Sequence, residues 1–295
     1  MGTLVGHLVP GLALAFLGLM HTINTIRAYY QNGPAKFRSR FWYPLNNNLH
    51  PLCKSHNLEL ILVLSFSVFA MVTQLISFPP LHFSLELLNL EHATMFLHLA
   101  IFAGFTLFAE LNHSTDLLTG ISGILASSVF SQELFLLHYH SADHVGLEGH
   151  YHWLLQIIVC ISLVAALFAT TFPAVFPAAL VLSVSVVFQG CWFVNMGFML
   201  WVPRFVPRGC MGAAGHHSSA VVCGSHEAGV RAVALANLQF SWVLALILAL
   251  VATLCLVFAR NQAARGGFPF PNYEQLHSRV VDDPDAINGL KQVQV

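Results

Sequence analysis

Charge is what this chain has least of. Only 8% of its 295 residues are Asp, Glu, Lys or Arg, against roughly 25% in an ordinary soluble domain. A water-soluble surface cannot be covered with so few. Lysine is confined to Lys36, Lys54 and Lys291, and the 12 basic residues are balanced by 13 acidic ones, for a net charge of −1. That excludes the basic footprint of a nucleic-acid-binding protein. Six cysteines in so long a chain are too few for a disulfide-built small fold. There is no glycine-rich phosphate loop and no Gly-x-Ser-x-Gly elbow. What is abundant is apolar surface, at 56% of residues, and histidine, at 17, more than Lys and Arg together. The high apolar content also excludes disorder for most of the chain.

Crossing a bilayer takes about 20 mostly apolar residues. Seven such runs occur, at about 5–28, 57–77, 89–110, 116–138, 150–171, 174–202 and 229–259. In lipid every backbone polar group must be paired internally, so each run is expected to be a helix. The predicted fold is all-α, a polytopic membrane bundle of seven spans over 1–259 followed by a flexible cytosolic tail, 260–295. The first run lacks a basic leader and continues through Leu19, Ile23 and Ile26, which argues against a cleaved signal peptide. Pro173 and Pro177 point to a tight hairpin between the fifth and sixth runs.

Orientation follows from the basic residues. Arg27, Lys36, Arg38, Arg40 and Lys54 flank the first connection, and Arg260, Arg265, Arg279 and Lys291 lie in the tail; together these are nine of the twelve. Arg204, Arg208 and Arg231 fall on the other side. The N-terminus is therefore expected to be lumenal or outside and the C-terminus cytosolic, in a secretory-pathway (Golgi or endosomal) or plasma membrane. Beyond the bilayer itself, cytosolic sorting adaptors are candidate partners, through Tyr273-Glu-Gln-Leu276 in the tail; the bland alternative is a solvated tail.

Ionisable groups within a span cost roughly 2.5–3.5 kcal/mol each on insertion scales, so their placement carries information. His7, His92, Glu133, His138, His140, Asp143, His144, Glu148, His150 and His152 are all expected toward the lumenal ends of the first, third, fourth and fifth runs. Glu133 and His140 are seven apart, and Glu148 and His152 four apart, so each pair shares a helix face. Imidazole and carboxylate with such spacing can hold zinc, copper, iron or haem, and a carboxylate can also orient a ligand. The candidate ligands are His92, His140 and His152 with Glu133, Glu148 and His7. A His–Glu acid/base pair, or a structural or proton-sensing hydrogen-bond network, uses the same residues. No reaction is assigned. His98, six residues past His92, points away from it.

Glu59 and Glu110 form a second set at the cytosolic ends of the second and third runs, readable as a proton relay or as helix-end carboxylates. Gln189, Gly190, Trp192 and Gly197 mark a packing face in the sixth run, with Asn195 and, in the seventh, Asn237 and Gln239 as polar partners. Cys210 and Cys223 sit with His216, His217 and His226 in a glycine-rich segment, 208–228, expected to be a mobile loop; a disulfide, a metal site and free thiols are all open for it. Cys160, Cys191 and Cys255 read as packing residues. A rhodopsin-type pigment is excluded because no lysine lies in a span. A seven-helix zinc amidohydrolase would carry two histidines four apart in its last helix, which has none here.

Gly6-His7-x-x-Pro10-Gly11, Glu59, His92-x-x-Met95, Glu133 followed by His140, Glu148 and His152, and Gln189-Gly-x-Trp-Phe-x-x-x-Gly-Phe198 together resemble the transmembrane protein 45 family. The resemblance runs from about residue 4 to 258. It implies a seven-helix integral membrane protein of secretory and Golgi membranes, plant-type members being associated with stress or pathogen response, with no catalytic activity to transfer. The Arg204–Ala228 loop and the tail depart from the pattern. The functional alternatives are a non-catalytic protein of secretory trafficking or defence, and a transporter.

Overall fold

The computed structural model describes residues 3–44, 57–77, 82–83, 87–112, 115–140, 146–212 and 221–264. Seven helices carry the architecture: α1 (Leu4–Asn32), α2 (Leu58–Leu75), α3 (Leu87–Leu111), α4 (Thr115–His140), α5 (Leu147–Thr171), α6 (Phe176–Trp201) and α7 (His226–Ala264). All seven are long and apolar enough to cross a membrane. Two small antiparallel hairpins complete it: β1 (Ile76–Ser77) with β2 (His82–Phe83), and β3 (Cys210–Gly212) with β4 (Val221–Cys223).

Local chemistry sets several ends. Thr3 caps α1 by accepting a hydrogen bond from the Gly6 amide at 3.0 Å, satisfying one of the donors a helix start leaves unpaired. Gly33, at φ 76°, closes the same helix and returns its N–H to the Tyr29 carbonyl. α5 and α6 are joined through Phe172–Val175, where Pro173 cannot continue a helix and Pro177 fits the first turn of the next. α5 begins at Leu147, so Glu148 and His150 lie within it. α7 starts three residues before its apolar run and ends five after it, because Arg260, Asn261 and Gln262 keep helical geometry past the apolar stretch.

Successive helices pack as neighbours from α2 through α6, α1 lies against α6, and α7 rests on α1, α5 and α6. α1 runs antiparallel to α6: His7 meets Trp201 at one end and Tyr29 stacks on Phe176 at the other, with ring centroids 4.4 and 4.0 Å apart. α1 begins at the N-terminal face of the bundle and ends at the opposite, C-terminal face. The buried side of α1 reads His7, Gly11, Gly18, Thr22, Thr25 and Ile26. Apart from the adjacent Thr25 and Ile26, these residues sit three to seven apart, on one helical stripe. Glycine is required where the backbones meet. A Cβ on Gly190 would strike the Ala15 backbone, and one on Gly11 would lie 3.0 Å from the Gly190 carbonyl oxygen.

The central core fills the space among α4, α5, α6 and α7, with Tyr151, Leu155, Ile158, Trp192 and Met196 fully enclosed. Outward, the bundle exposes Phe16, Phe69, Trp242, Leu246 and Leu256, the apolar exterior a bilayer requires. The connection after α1 does not loop away. It folds back against the C-terminal face, with Phe37, Ser39, Trp42 and Tyr43 buried. The segment expected to be a mobile loop between α6 and α7 is also more ordered than that: its two ends pair as the β3–β4 hairpin, and Cys210 is disulfide-bonded to Cys223.

Candidate functional site

At the N-terminal face α1 and α5 bring two imidazoles together. His7 and His152 lie with ring centroids 6.2 Å apart, nearly edge to face. Both are buried, as is Glu148 one turn before His152. His7 Nδ1 is 3.0 Å from the Thr3 carbonyl oxygen, and His152 Nδ1 is 2.9 Å from the Glu148 carbonyl oxygen. A carbonyl only accepts, so Nδ1 donates in each ring, and Nε2 is the basic nitrogen when the ring is neutral. Trp201 and Phe193 pack on His7 at 4.4 and 5.9 Å between centroids. Gly197 leaves room for it, since a Cβ there would be 3.3 Å from the His7 Cβ.

Deeper in the bundle, Gln189 Nε2 donates to Glu133 Oε2 across a long 3.5 Å. Gln189 is fully buried, and its Oε1 has no hydrogen-bond partner. Gln189 precedes Gly197, the residue under His7, by eight positions, about 12 Å of helix. Glu133 is therefore not at the depth of His7 and His152, as the sequence had suggested. It lies seven residues inside the end of α4, and its partner is an amide.

A third group fastens α7. Tyr151 donates its hydroxyl proton to Gln239 Oε1 at 2.7 Å, Asn195 donates to the same oxygen at 3.2 Å, and Gln239 Nε2 reaches Met199 Sδ at 3.3 Å. Trp192 Nε1 donates to the Tyr151 carbonyl at 3.1 Å, and His150 pairs with Asn237 at 2.7 Å. Asn195 thus finds the partner in α7 expected of it, whereas Gln189 turns to α4. Gln239→Leu should leave Tyr151 and Asn195 without their acceptor and lower stability by about 1–3 kcal/mol. Thermal unfolding in detergent reads this loss, and an unchanged melt would show that the group contributes nothing.

Toward the C-terminal face the sequence pointed to Glu59 and Glu110 but not to the residues that surround Glu59. The Tyr43 amide donates to Glu59 Oε2 at 3.2 Å, and Thr25 donates to the Tyr43 hydroxyl at 3.3 Å. Burial pushes the Tyr43 phenol above its usual range, while its bond from Thr25 works against that. His21 packs on Tyr43 with centroids 5.0 Å apart and the ring planes tilted by 59°. Glu110 is not bonded to this group. The one available signal for His21 was a histidine inside an apolar run, four residues before Thr25.

Of the remaining candidates, His92 lies on α3, one turn before Met95, which packs on the central core. His138, exposed at the end of α4, is 3.3 Å from Gln156 Oε1. The His140 side chain, Asp143, His144, His216, His217, Tyr273 and Leu276 lie outside the described residues. Among the described residues, no three His, Cys, Asp or Glu side chains converge as a metal site. Of the six expected ligands, His7 and His152 meet with Glu148 one turn away, Glu133 is bonded deeper in the bundle, and the His140 side chain lies outside the described residues. A family model described as a family of unknown function (DUF716) matches residues 119–256, from α4 through most of α7.

Proposed function

We propose that the chain is a plant-type member of the transmembrane protein 45 family, inserted with its N-terminus lumenal and its C-terminus cytosolic in a secretory-pathway or plasma membrane. Its working site is the buried His7–Glu148–His152 cluster, which binds a small ligand at the lumenal membrane face. One observation carries this reading: both imidazoles are fixed through Nδ1 to main-chain carbonyls one turn earlier, so both have Nε2 as their second nitrogen in the same aromatic-walled place. Burying two imidazoles and a carboxylate together is costly, and packing alone would be served as well by apolar residues.

Orientation through Nδ1 is also how metal-binding histidines are held, and imidazole suits zinc, copper and haem iron. A catalytic zinc site uses three protein ligands and a structural one four, whereas two imidazoles meet here. Two imidazoles beside a carboxylate suit a small polar ligand better than a zinc ion. No reaction is assigned to the site.

The test is elemental analysis and a visible spectrum of the detergent-purified protein, with mass spectrometry of co-purifying small molecules, on wild type, His7→Asn and His152→Asn. The expected result is metal well below one equivalent and a bound compound lost from both variants. Stoichiometric metal or haem lost from both would make the site a metal centre. Variants that keep the wild-type complement and location, while Tyr273→Ala alone redistributes the protein, would give the function to the tail and to trafficking.

A further inference from the structure

The connection after α1 carries a feature independent of the His/Glu cluster. From Lys36 to Arg40 burial alternates strictly: Lys36, Arg38 and Arg40 are exposed, and Phe37 and Ser39 are buried. Lys36 closes the turn after Gly33, its amide and that of Phe37 both donating to the Gly33 carbonyl. From Phe37 on, the alternation is that of an extended chain, which puts Arg38 and Arg40 on one side about 7 Å apart, with Lys36 exposed just before them. The inward residues hold the segment in place. Phe37 is enclosed, meeting Tyr29 and Phe176 edge to face at 5.7 and 5.6 Å between centroids. The Ser39 amide donates to the Pro173 carbonyl at 2.6 Å, and its hydroxyl to the Ala169 carbonyl at 2.8 Å. The segment is thus fastened to the ends of α1 and α6 and to the α5–α6 turn. Those are the ends of membrane-spanning helices, where a bilayer's headgroups are expected.

Among the described residues no ion pair neutralises them. Residues 1–58 contain no Asp or Glu. Among the described side chains, the carboxylates on this face are Glu59 and Glu110, and Glu59 accepts from the Tyr43 amide. No described carboxylate pairs with Lys36, Arg38 or Arg40. A single donor of the row is used internally, Arg38 Nη1 to the Phe37 carbonyl at 2.7 Å. Orientation of the chain in a membrane needs only that the cations be present. A row of three held rigidly by buried side chains does more, because the entropy of ordering the binder has been met during folding.

We propose that Lys36, Arg38 and Arg40 form a binding site for the phosphorylated headgroup of an anionic membrane lipid, read as a row of phosphate contacts at the C-terminal face. Arginine supplies forked, charge-assisted donors to phosphate and lysine a mobile third charge.

The experiment titrates a fluorescent short-chain phosphatylinositol bisphosphate into the full chain in neutral detergent and reads anisotropy. Each basic residue near an anionic surface is worth about fivefold in affinity, so the Lys36→Gln/Arg38→Gln/Arg40→Gln variant is expected to bind about 100-fold more weakly. Arg204→Gln/Arg208→Gln, changed on the opposite face, is expected to stay within about twofold. Short-chain phosphatidylcholine should not compete. Inorganic phosphate and a soluble inositol phosphate are competitors too, and either displacing the probe at equal concentration would assign the site to a free anion and overturn the lipid reading. Unchanged affinity in the triple variant, or an equal loss in the opposite-face variant, would overturn the site itself. Circular dichroism and melting of the triple variant should match wild type, since all three changed side chains are exposed.

Discussion

Gly190→Leu should abolish the folded bundle, with an expected loss on the order of 3–5 kcal/mol. Even alanine puts a Cβ into the Ala15 backbone, with the Gly11 carbonyl oxygen close behind. Neither obstacle is a flexible side chain that could swing aside. The only relief is to separate α1 from α6, which breaks the Gly11 and Gly18 contacts above and below and draws His7 from its place over Gly197. Without a hydrophobic force between helices in lipid, close backbone packing is much of what holds two spans together. Gly120 in α4 is the control, since a Cβ there meets nothing within 4 Å; Gly120→Ala should be neutral or stabilise by up to about 1 kcal/mol. Melting of purified protein compares the two. A Gly190→Leu protein that melts with wild type would mean that α1 is not held as described.

The seven spans were legible because each is a continuous apolar run long enough to cross a bilayer as a helix, which pairs its own backbone groups there. The close approach of α1 and α6 was legible in half: Gly190 and Gly197 stand seven apart in the sixth run, but nothing local says that the matching glycines are Gly11 and Gly18. The pairing of Glu148 with His152 came from their spacing on one helix, and that of His7 with the fifth span from both lying at the start of their runs. Glu133 was misplaced for the converse reason. Depth depends on where α4 ends and how it is offset against α6, and a run of apolar residues fixes that only to within a turn or two.

What the spans hid was the first connection. Tyr43 reaches Glu59 and Thr25 because the chain turns back after Gly33 and lies against the C-terminal face. Its anchors, the Ala169 and Pro173 carbonyls, come some 130 residues later. Lys36-Phe37-Arg38-Ser39-Arg40 does alternate in the sequence, but five residues in a presumed loop read as orientation charge until a partner for Phe37 and Ser39 is known. His21 was missed similarly: it belongs to the middle of an apolar run and gains its meaning only from Tyr43.

Replacing Glu133 and Gln189 together, by leucine and methionine, should leave the protein as stable as wild type or more so, by up to about 3 kcal/mol. Each single replacement should cost about 1–3 kcal/mol. The sign follows from what each change leaves behind. Gln189 is enclosed with Oε1 unpartnered, and its bond to Glu133 is stretched to 3.5 Å; a bond of that length returns little of the desolvation both groups incur. Gln189→Met removes the amide but strands the carboxyl. Glu133→Leu removes the carboxyl but strands the amide at both ends. Only the double change removes both unmet groups, and it replaces them with side chains that pack against Leu134, Phe130 and the rest of the core. Four melts close the cycle and give the coupling between the two positions. If the double variant is the least stable of the four, with losses that add, the two side chains do not act as a pair. If it is as stable as wild type yet fails to bind what His7 and His152 bind, the polar pair is kept at a cost in stability, and the ligand site extends about 12 Å further into the bundle than the imidazoles show.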